Sequence, residues 1–239
     1  MFSTKLNGSV VPVKNLTGQD LARMFDLMNE NYEGMKKDNF DNDIAEKRDV
    51  IMLRESEGNQ IQGFSTITVL EEKVRGEPTK VLFSGDTIID KQYWGSSELE
   101  KQFINYSFSL IDESPQVPLF WFLMSKGYKT YRFLPVFFHE FYPRHDTSTP
   151  NYEQEVLDTF AGKKFPLNYN PQTGLIVFNG AKDKLRKGVA DVEEPRLKNP
   201  HINYFVQRNP RWADGEELAC IVRLTKDNFN SMAHRIVGK

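Results

Sequence analysis

Only one cysteine, Cys220, occurs in the 239 residues, so the chain cannot close an intramolecular disulfide. Its four histidines are scattered, and no pair falls at CxxC or HxxxH metal-ligand spacing. A reduced compartment and no bound metal are therefore expected. No run approaches 18 consecutive apolar residues, and the opening MFSTKLNGSVVPVKNL lacks the basic and apolar regions of a secretory leader. Membrane spanning and secretion are disfavoured, and a cytoplasmic location is the expectation. Excess charge is missing too. The formal charge is -2 at pH 7 and neither sign forms a long block, so the footprint of a nucleic-acid-binding surface is absent.

What is present is the material of a globular core. Apolar residues make up 39% and charged residues 27%, with 18 Phe and 9 Tyr, which places the chain outside the disordered class. The length allows one large domain, or one of roughly 150 residues with a smaller addition.

Val10 to Leu16 reads as a strand that runs into a helix capped by Thr17, with Asp20 in its first turn. Leu21, Met24, Phe25, Met28 and Tyr32 recur at helical spacing, and a second short stretch, helical or irregular, passes through Asn42 to Lys47. Asp49 to Glu55 and Gln60 to Leu70 form a hairpin across a turn at Glu57 to Asn59. A polar connection, Glu71 to Pro78, leads to the strand Thr79 to Asp90, in which Gly85 marks a bulge or a close backbone approach. Leu99, Phe103, Tyr106 and Leu110 share a face of the helix Glu98 to Ile111, and Leu119 to Met124 resumes a strand. The order is β-α-β-β-β-α-β. Beyond it, Phe133, Phe137, Phe138 and Phe141 are spaced as a helix face. The polar, proline-punctuated stretch His145 to Tyr152 divides residues 1–145 from an α+β extension, 146–239, expected to pack on them, with strands at Gly174 to Phe178 and Glu217 to Leu224.

The segment Gln92-Tyr93-Trp94-Gly95-Ser96-Ser97 joins a strand to a helix. A helix N-terminus offers unpaired N–H groups and the positive end of the peptide dipole, so such a turn with small residues can cradle a pyrophosphate. Gly95 lets the backbone approach an anion, and Ser96 and Ser97 add hydroxyls without bulk. Ser97-Glu-Leu-Glu100 is equally an S-x-x-E capping box, which a helix needs whether or not it binds anything.

In its place after the fourth strand, Gln92 to Ser97 resembles the Q/R-x-x-G-x-G/A acetyl-coenzyme A signature of the GNAT superfamily of N-acyltransferases, with Ser97 where that family has Gly or Ala. The resemblance covers Val10 to Pro143. It implies an α/β, GNAT-like fold: a mixed, mostly antiparallel sheet flanked by helices. It also implies a wedge between the fourth and fifth strands, with acetyl-CoA or another acyl-CoA as co-substrate. Gln92, Trp94, Gly95, Ser96 and Ser97 would hold the coenzyme, and a backbone N–H near Ile88 or Ile89 would polarise the acyl carbonyl.

In such enzymes an amine attacks the thioester directly, which calls for a base and for a donor to the departing thiolate. Asp86 is the candidate base, and Tyr128 and Tyr131 are the candidate donors; the plainer readings are a turn-bonding Asp86 and two core tyrosines. Trp94, Trp121 and the many Phe either line a pocket for a longer acyl chain or pack the core. Arg132 is either a carboxylate clamp or a surface ion-pair member, Lys36 and Lys37 read as a solvated face, and the adjacent His139 and Glu140 point to different sides. The expected reaction moves an acyl group, in the first instance acetyl, to a small-molecule amine. Acyl carrier protein is the alternative donor, through Lys126, Lys129, Arg132 and Arg144, and a non-catalytic ligand- or protein-binding module of the same shape is the alternative of another class.

Overall fold

In this computed structural model, residues 5–178, 184–186 and 192–238 are described. Strand β1 (Leu6–Pro12) begins earlier than the apolar pattern predicts, because polar Asn7 to Ser9 pair with Arg54 to Met52. It ends at Pro12, which has no N–H to extend a ladder, and Val13–Asn15 turns into a 3-10 coil. Helix α1 (Gly18–Asn31) starts on a complete capping box: Thr17 Oγ1 accepts from Asp20 N at 3.1 Å, and Asp20 Oδ2 accepts from Thr17 N at 3.0 Å. Helix α2 (Lys37–Ala45) lies upstream of its expected place, around the buried pair Phe40 and Ile44.

Strands β2 (Asp49–Glu55), β3 (Ile61–Val74) and β4 (Glu77–Ile89) form a meander. The polar run expected to be a connection is ladder instead. It reverses through Arg75 and Gly76 alone, both at positive φ (53° and 87°), as a two-residue hairpin turn requires. Glu71 faces Lys80 across the pair and meets it at 3.4 Å. The bulge expected at Gly85 is present: Ser65 pairs with Thr87 and Ile67 with Ser84, so Thr66 alone opposes Gly85 and Asp86. The close approach is present as well, since a Cβ on Gly85 would stand 2.6 Å from Thr66 Oγ1.

Helix α3 (Glu98–Glu113) crosses back to β5 (Leu119–Ser125). The predicted aromatic helix is two short pieces, α4 (Tyr128–Tyr131) and α5 (Phe133–Phe137); Phe138 is already extended and bridges Phe229. Then come α6 (Asn151–Lys164), the two-residue strands β6 (Tyr169–Asn170) and β7 (Leu175–Ile176), α7 (Pro200–Arg208), β8 (Glu217–Arg223) and α8 (Ser231–Val237). A separate two-residue ladder joins Tyr32–Glu33 to Lys184–Leu185.

The main sheet runs β1-β2-β3-β4-β5-β8-β7-β6, antiparallel throughout except for the parallel pair β4–β5. This is the mixed, mostly antiparallel, helix-flanked sheet of the GNAT-like fold. One face packs Ile51, Leu82, Trp121 and Cys220 against α3 and the aromatics of α4 and α5. The other packs Met52 and Phe64 against α1 and α2, and Phe83, Phe120 and Ile221 against α6. Strand β8, from beyond residue 145, lies in the sheet beside β5, with Cys220 opposite Leu123.

Candidate active site

The parallel pairing of β4 with β5 runs from Lys80–Leu119 to Ser84–Leu123 and stops. Past the bulge, β4 stays on β3 while β5 stays on β8, so the two strands part. On the α3 face the gap opens into a chamber of about 380 Å³, and on the opposite face into one of about 510 Å³. Ser84, Thr87, Leu123 and Thr130 line both, so the cleft is open to the two faces of the sheet.

Alternation along β4 decides which backbone groups face this gap. Asp90 N donates to Gln62 O at 2.7 Å, so Asp90 and Ile88 turn their N–H toward β3, and Ile89 and Thr87 turn theirs to the parted edge. Ile89 is therefore the one of the two predicted donors that faces the cleft. Its carbonyl, on the same edge, accepts from Trp94 Nε1 at 2.9 Å. Ile88 is buried on the α1 face of the sheet.

Around the turn, Gln92 N is taken by Asp90 Oδ1 (2.9 Å) and Ser96 N by Tyr93 O (2.9 Å). Gln92 itself is exposed and lines neither chamber. The N–H groups of Gly95, Ser97 and Leu99 have no hydrogen-bond partner among the described residues. The expected capping box does not form. Ser97 stands at φ -99°, ψ 16°, outside the extended region a cap occupies, and makes no side-chain cap bond; Ser96 Oγ instead accepts from Glu98 N at 3.3 Å. Glu98 turns toward β1, accepting from Gly8 N and Gln102 Nε2. Glu100 lines the α3-side chamber with Oε2 buried and unpartnered, and burial pushes its carboxyl up, against a smaller pull from its own backbone N–H.

Trp94 is 46% exposed, and the Lys129 ammonium sits 3.8 Å from the centre of its ring, so both edge the α3-side chamber. Tyr128 is buried and lines the same chamber, with the Arg196 guanidinium over its ring. Tyr131 differs: it lies outside both chambers, fully buried, its hydroxyl donating to Pro143 O at 2.7 Å and its proton held far above the usual tyrosine range by burial. Asp86, half-buried on the bulge, lines the opposite chamber. Trp121 is both core and lining, its ring tilted against Phe103 with centroids 4.5 Å apart and its Nε1 donating to Ser84 Oγ at 2.8 Å.

Arg132 lines the α3-side chamber, while His139 and Glu140 lie outside both, tied through their backbone N–H groups to Asn228. Lys37 is a surface residue paired with Asp41, and Lys36, also exposed, stands at the mouth of the opposite chamber. Of the cations considered for a carrier protein, Lys126 meets Glu217 at 3.7 Å and Arg144 is bound by Asp146 at 2.5 Å.

Residues that the sequence did not single out fill the opposite chamber. Lys47 is buried, its ammonium 2.6 Å from Asp43 Oδ2, and Lys164 comes from α6; both approach the ring of Phe83, at 5.9 and 4.8 Å. The Asp43–Lys47 spacing of four residues is a legible pair, but its place behind the bulge is set by tertiary packing. Among the described residues, no group of three His, Cys, Asp or Glu side chains could hold a metal, and no helix is long and apolar enough to cross a membrane.

No protein-family model matches the sequence, and no curated protein is matched by it. Solved structures are similar in part. A conserved protein from Enterococcus faecalis aligns with 56% of this chain and 33% of its own, at 15% identity and TM-score 0.41. A GNAT family N-acetyltransferase from Escherichia coli in complex with CoA aligns with 51% and 64%, at 14% identity and TM-score 0.37. Saccharomyces cerevisiae N-myristoyltransferase with bound myristoyl-CoA aligns with 73% and 42%, at 15% identity and TM-score 0.37. This chain thus spans less than two thirds of each of these proteins. Likeness at this level concerns shape alone; the chain's own strand order, with β4 and β5 parallel and parted beyond a bulge, is what makes the fold GNAT-like.

Proposed function

We propose that the protein is an acyl-coenzyme A-dependent N-acyltransferase that takes its thioester from the α3 face of the sheet and its amine from the opposite face. The observation that carries this reading is the gap between β4 and β5. It joins two chambers at Thr87, beside the bulge that bears Asp86, with Leu99, whose amide is free, lining the α3-side chamber and the free amides of Gly95 and Ser97 on the exposed turn next to it. Three N–H groups at the positive end of α3 suit a pyrophosphate. The outward N–H of Ile89 suits the thioester carbonyl, whose oxygen gains charge as the tetrahedral intermediate forms.

In this reading the amine nitrogen attacks the thioester carbon, Asp86 takes the amine proton directly or through one water, the C–S bond breaks, and Tyr128 protonates the departing thiolate. Tyr131 has no part in it, since its hydroxyl is committed to Pro143 in the core. The acceptor is a small amine.

Gly95 provides the test. A Cβ there meets no atom within 4 Å, so Gly95→Val leaves the fold undisturbed while placing a branched side chain where the coenzyme would lie. Coenzyme A at about 100 times its dissociation constant should stabilise the protein by about 2.7 kcal/mol, and the variant should bind at least about tenfold more weakly at unchanged intrinsic stability. A melting midpoint that neither coenzyme A nor acetyl-CoA moves would remove this function.

A further inference from the structure

The chamber opposite α3 is polarised along its length. At one end two ammonium groups converge on a single ring: Lys47 Nζ, just past the end of α2, lies 5.9 Å from the centre of Phe83, and Lys164 Nζ, from the last turn of α6, lies 4.8 Å from it. The two lysine side chains are 1% and 17% exposed, whereas the carboxylates that meet them, Asp43 at 2.6 Å and Glu46 at 3.5 Å, are 42% and 67% exposed. The positive groups therefore lie deeper than the negative ones. At the other end, where β4 and β5 part, the chamber carries Asp86.

Asp43 does not saturate Lys47. The ammonium meets Asp43 twice, at the backbone O (3.1 Å) and at Oδ2 (2.6 Å), and has no further hydrogen-bond acceptor among the described residues, so one of its three N–H donors is left over. Its place on the bulge is fixed by Gly85, where a Cβ would stand 2.9 Å from Lys47 Cε and 3.5 Å from its Nζ. A buried ammonium short of an acceptor favours an anionic oxygen brought in by a ligand. Between the two charged ends the wall is apolar, with Met124, Phe165 and Phe178 all partly open to the chamber.

Building on the acyltransferase reading, we infer that the acceptor is an amino acid whose reacting amine and carboxylate are separated by several carbons, the amine held at Asp86 and the carboxylate between Lys47 and Lys164. The spacing follows from the strand. Ser84 and Thr87 pair with Ile67 and Ser65, two residues apart, so Thr87 at the gap lies about 6.5 Å along β4 from Ser84, and the Phe83 ring is one residue further back. The single carbon of an α-amino acid does not bridge that distance, whereas a short methylene chain does and lies on the apolar wall. The products are the N-acyl amino acid and the coenzyme thiol, with bonds and protons moving as in the reaction above.

The test is calorimetric titration, with and without coenzyme A, using glycine, 4-aminobutyrate, 6-aminohexanoate, the matching butylamine and hexylamine, and O-phosphoethanolamine. One of the two longer amino acids should bind at least about tenfold more tightly than its alkylamine and than glycine. Lys47→Met should erase that preference and leave the affinities for the alkylamines and coenzyme A unchanged; should it fail to fold, Lys164→Met, at a partly exposed position, carries the same expectation. Amino acids no tighter than alkylamines, glycine as tight as the longer acids, or a preference that survives Lys164→Met would overturn this inference while leaving the acyltransferase intact. Tightest binding by O-phosphoethanolamine would overturn it in favour of a phosphorylated amine. Failure of coenzyme A to bind, with the amino-acid preference present, would overturn the acyltransferase and leave the anion site.

Discussion

Asp86 and Glu100 are two carboxylates on opposite sides of the cleft, and their surroundings give them different duties. Asp86 sits on the bulge beside Thr87, where both chambers meet, so Asp86→Asn should lower kcat by a factor of about 10² to 10⁴ while leaving coenzyme A affinity unchanged. An unaltered kcat would reduce Asp86 to a brace for the bulge. Glu100 is held up by burial, so the folded chain keeps its proton to higher pH than the unfolded chain does. Its contribution is intact below the ordinary carboxylate range and is lost as pH rises through the folded value. Glu100→Gln should therefore melt close to the native protein near about pH 4 and progressively above it toward neutrality. A difference independent of pH would contradict the assignment. The small residues of the turn were legible as a local motif, and Asp86 was named by its place in the resemblance; Tyr131 was named in the same way, because nothing local distinguishes a tyrosine facing a cleft from one bonded to Pro143.

Elements whose signals are local were legible, and those decided by distant partners were not. Thr17 and Asp20 carry a complete start signal and form the reciprocal cap. Thr17→Ala should cost about 1 kcal/mol, read as a lower urea midpoint at unchanged slope. Gly85 announced its bulge because only a residue without a Cβ fits beside Thr66. By contrast, Glu71 to Pro78 looks like a loop because only Val74 in it is buried, and what makes it ladder is its cross-strand pairing, which closes through only Arg75 and Gly76. The capping box at Ser97 was written in the sequence but not used, since the turn before α3 holds Ser97 out of the extended region. The aromatic stretch after β5 has helical spacing, but the bridge from Phe138 to Phe229 stops the helix at Phe137.

On the scale of the whole molecule, the sheet separates two approaches that converge at a single gap. The α3-side chamber is lined mainly from β4, α3, β5 and the short helices that follow β5. The opposite side combines α2 and the bulge with Lys164, Phe165 and Phe178 from the later part of the chain, and no periodicity in the sequence brings those regions together. The same long-range closure governs how the cleft is made. Strand β5 needs β8 as its second neighbour, and Ser125 and Cys220, which meet across that pair, are 95 residues apart. On the ribosome, β5 emerges well before β8 and must wait with one hydrogen-bonding edge open, so the cleft wall is completed late and the nascent chain is most vulnerable to wrong pairing in that interval.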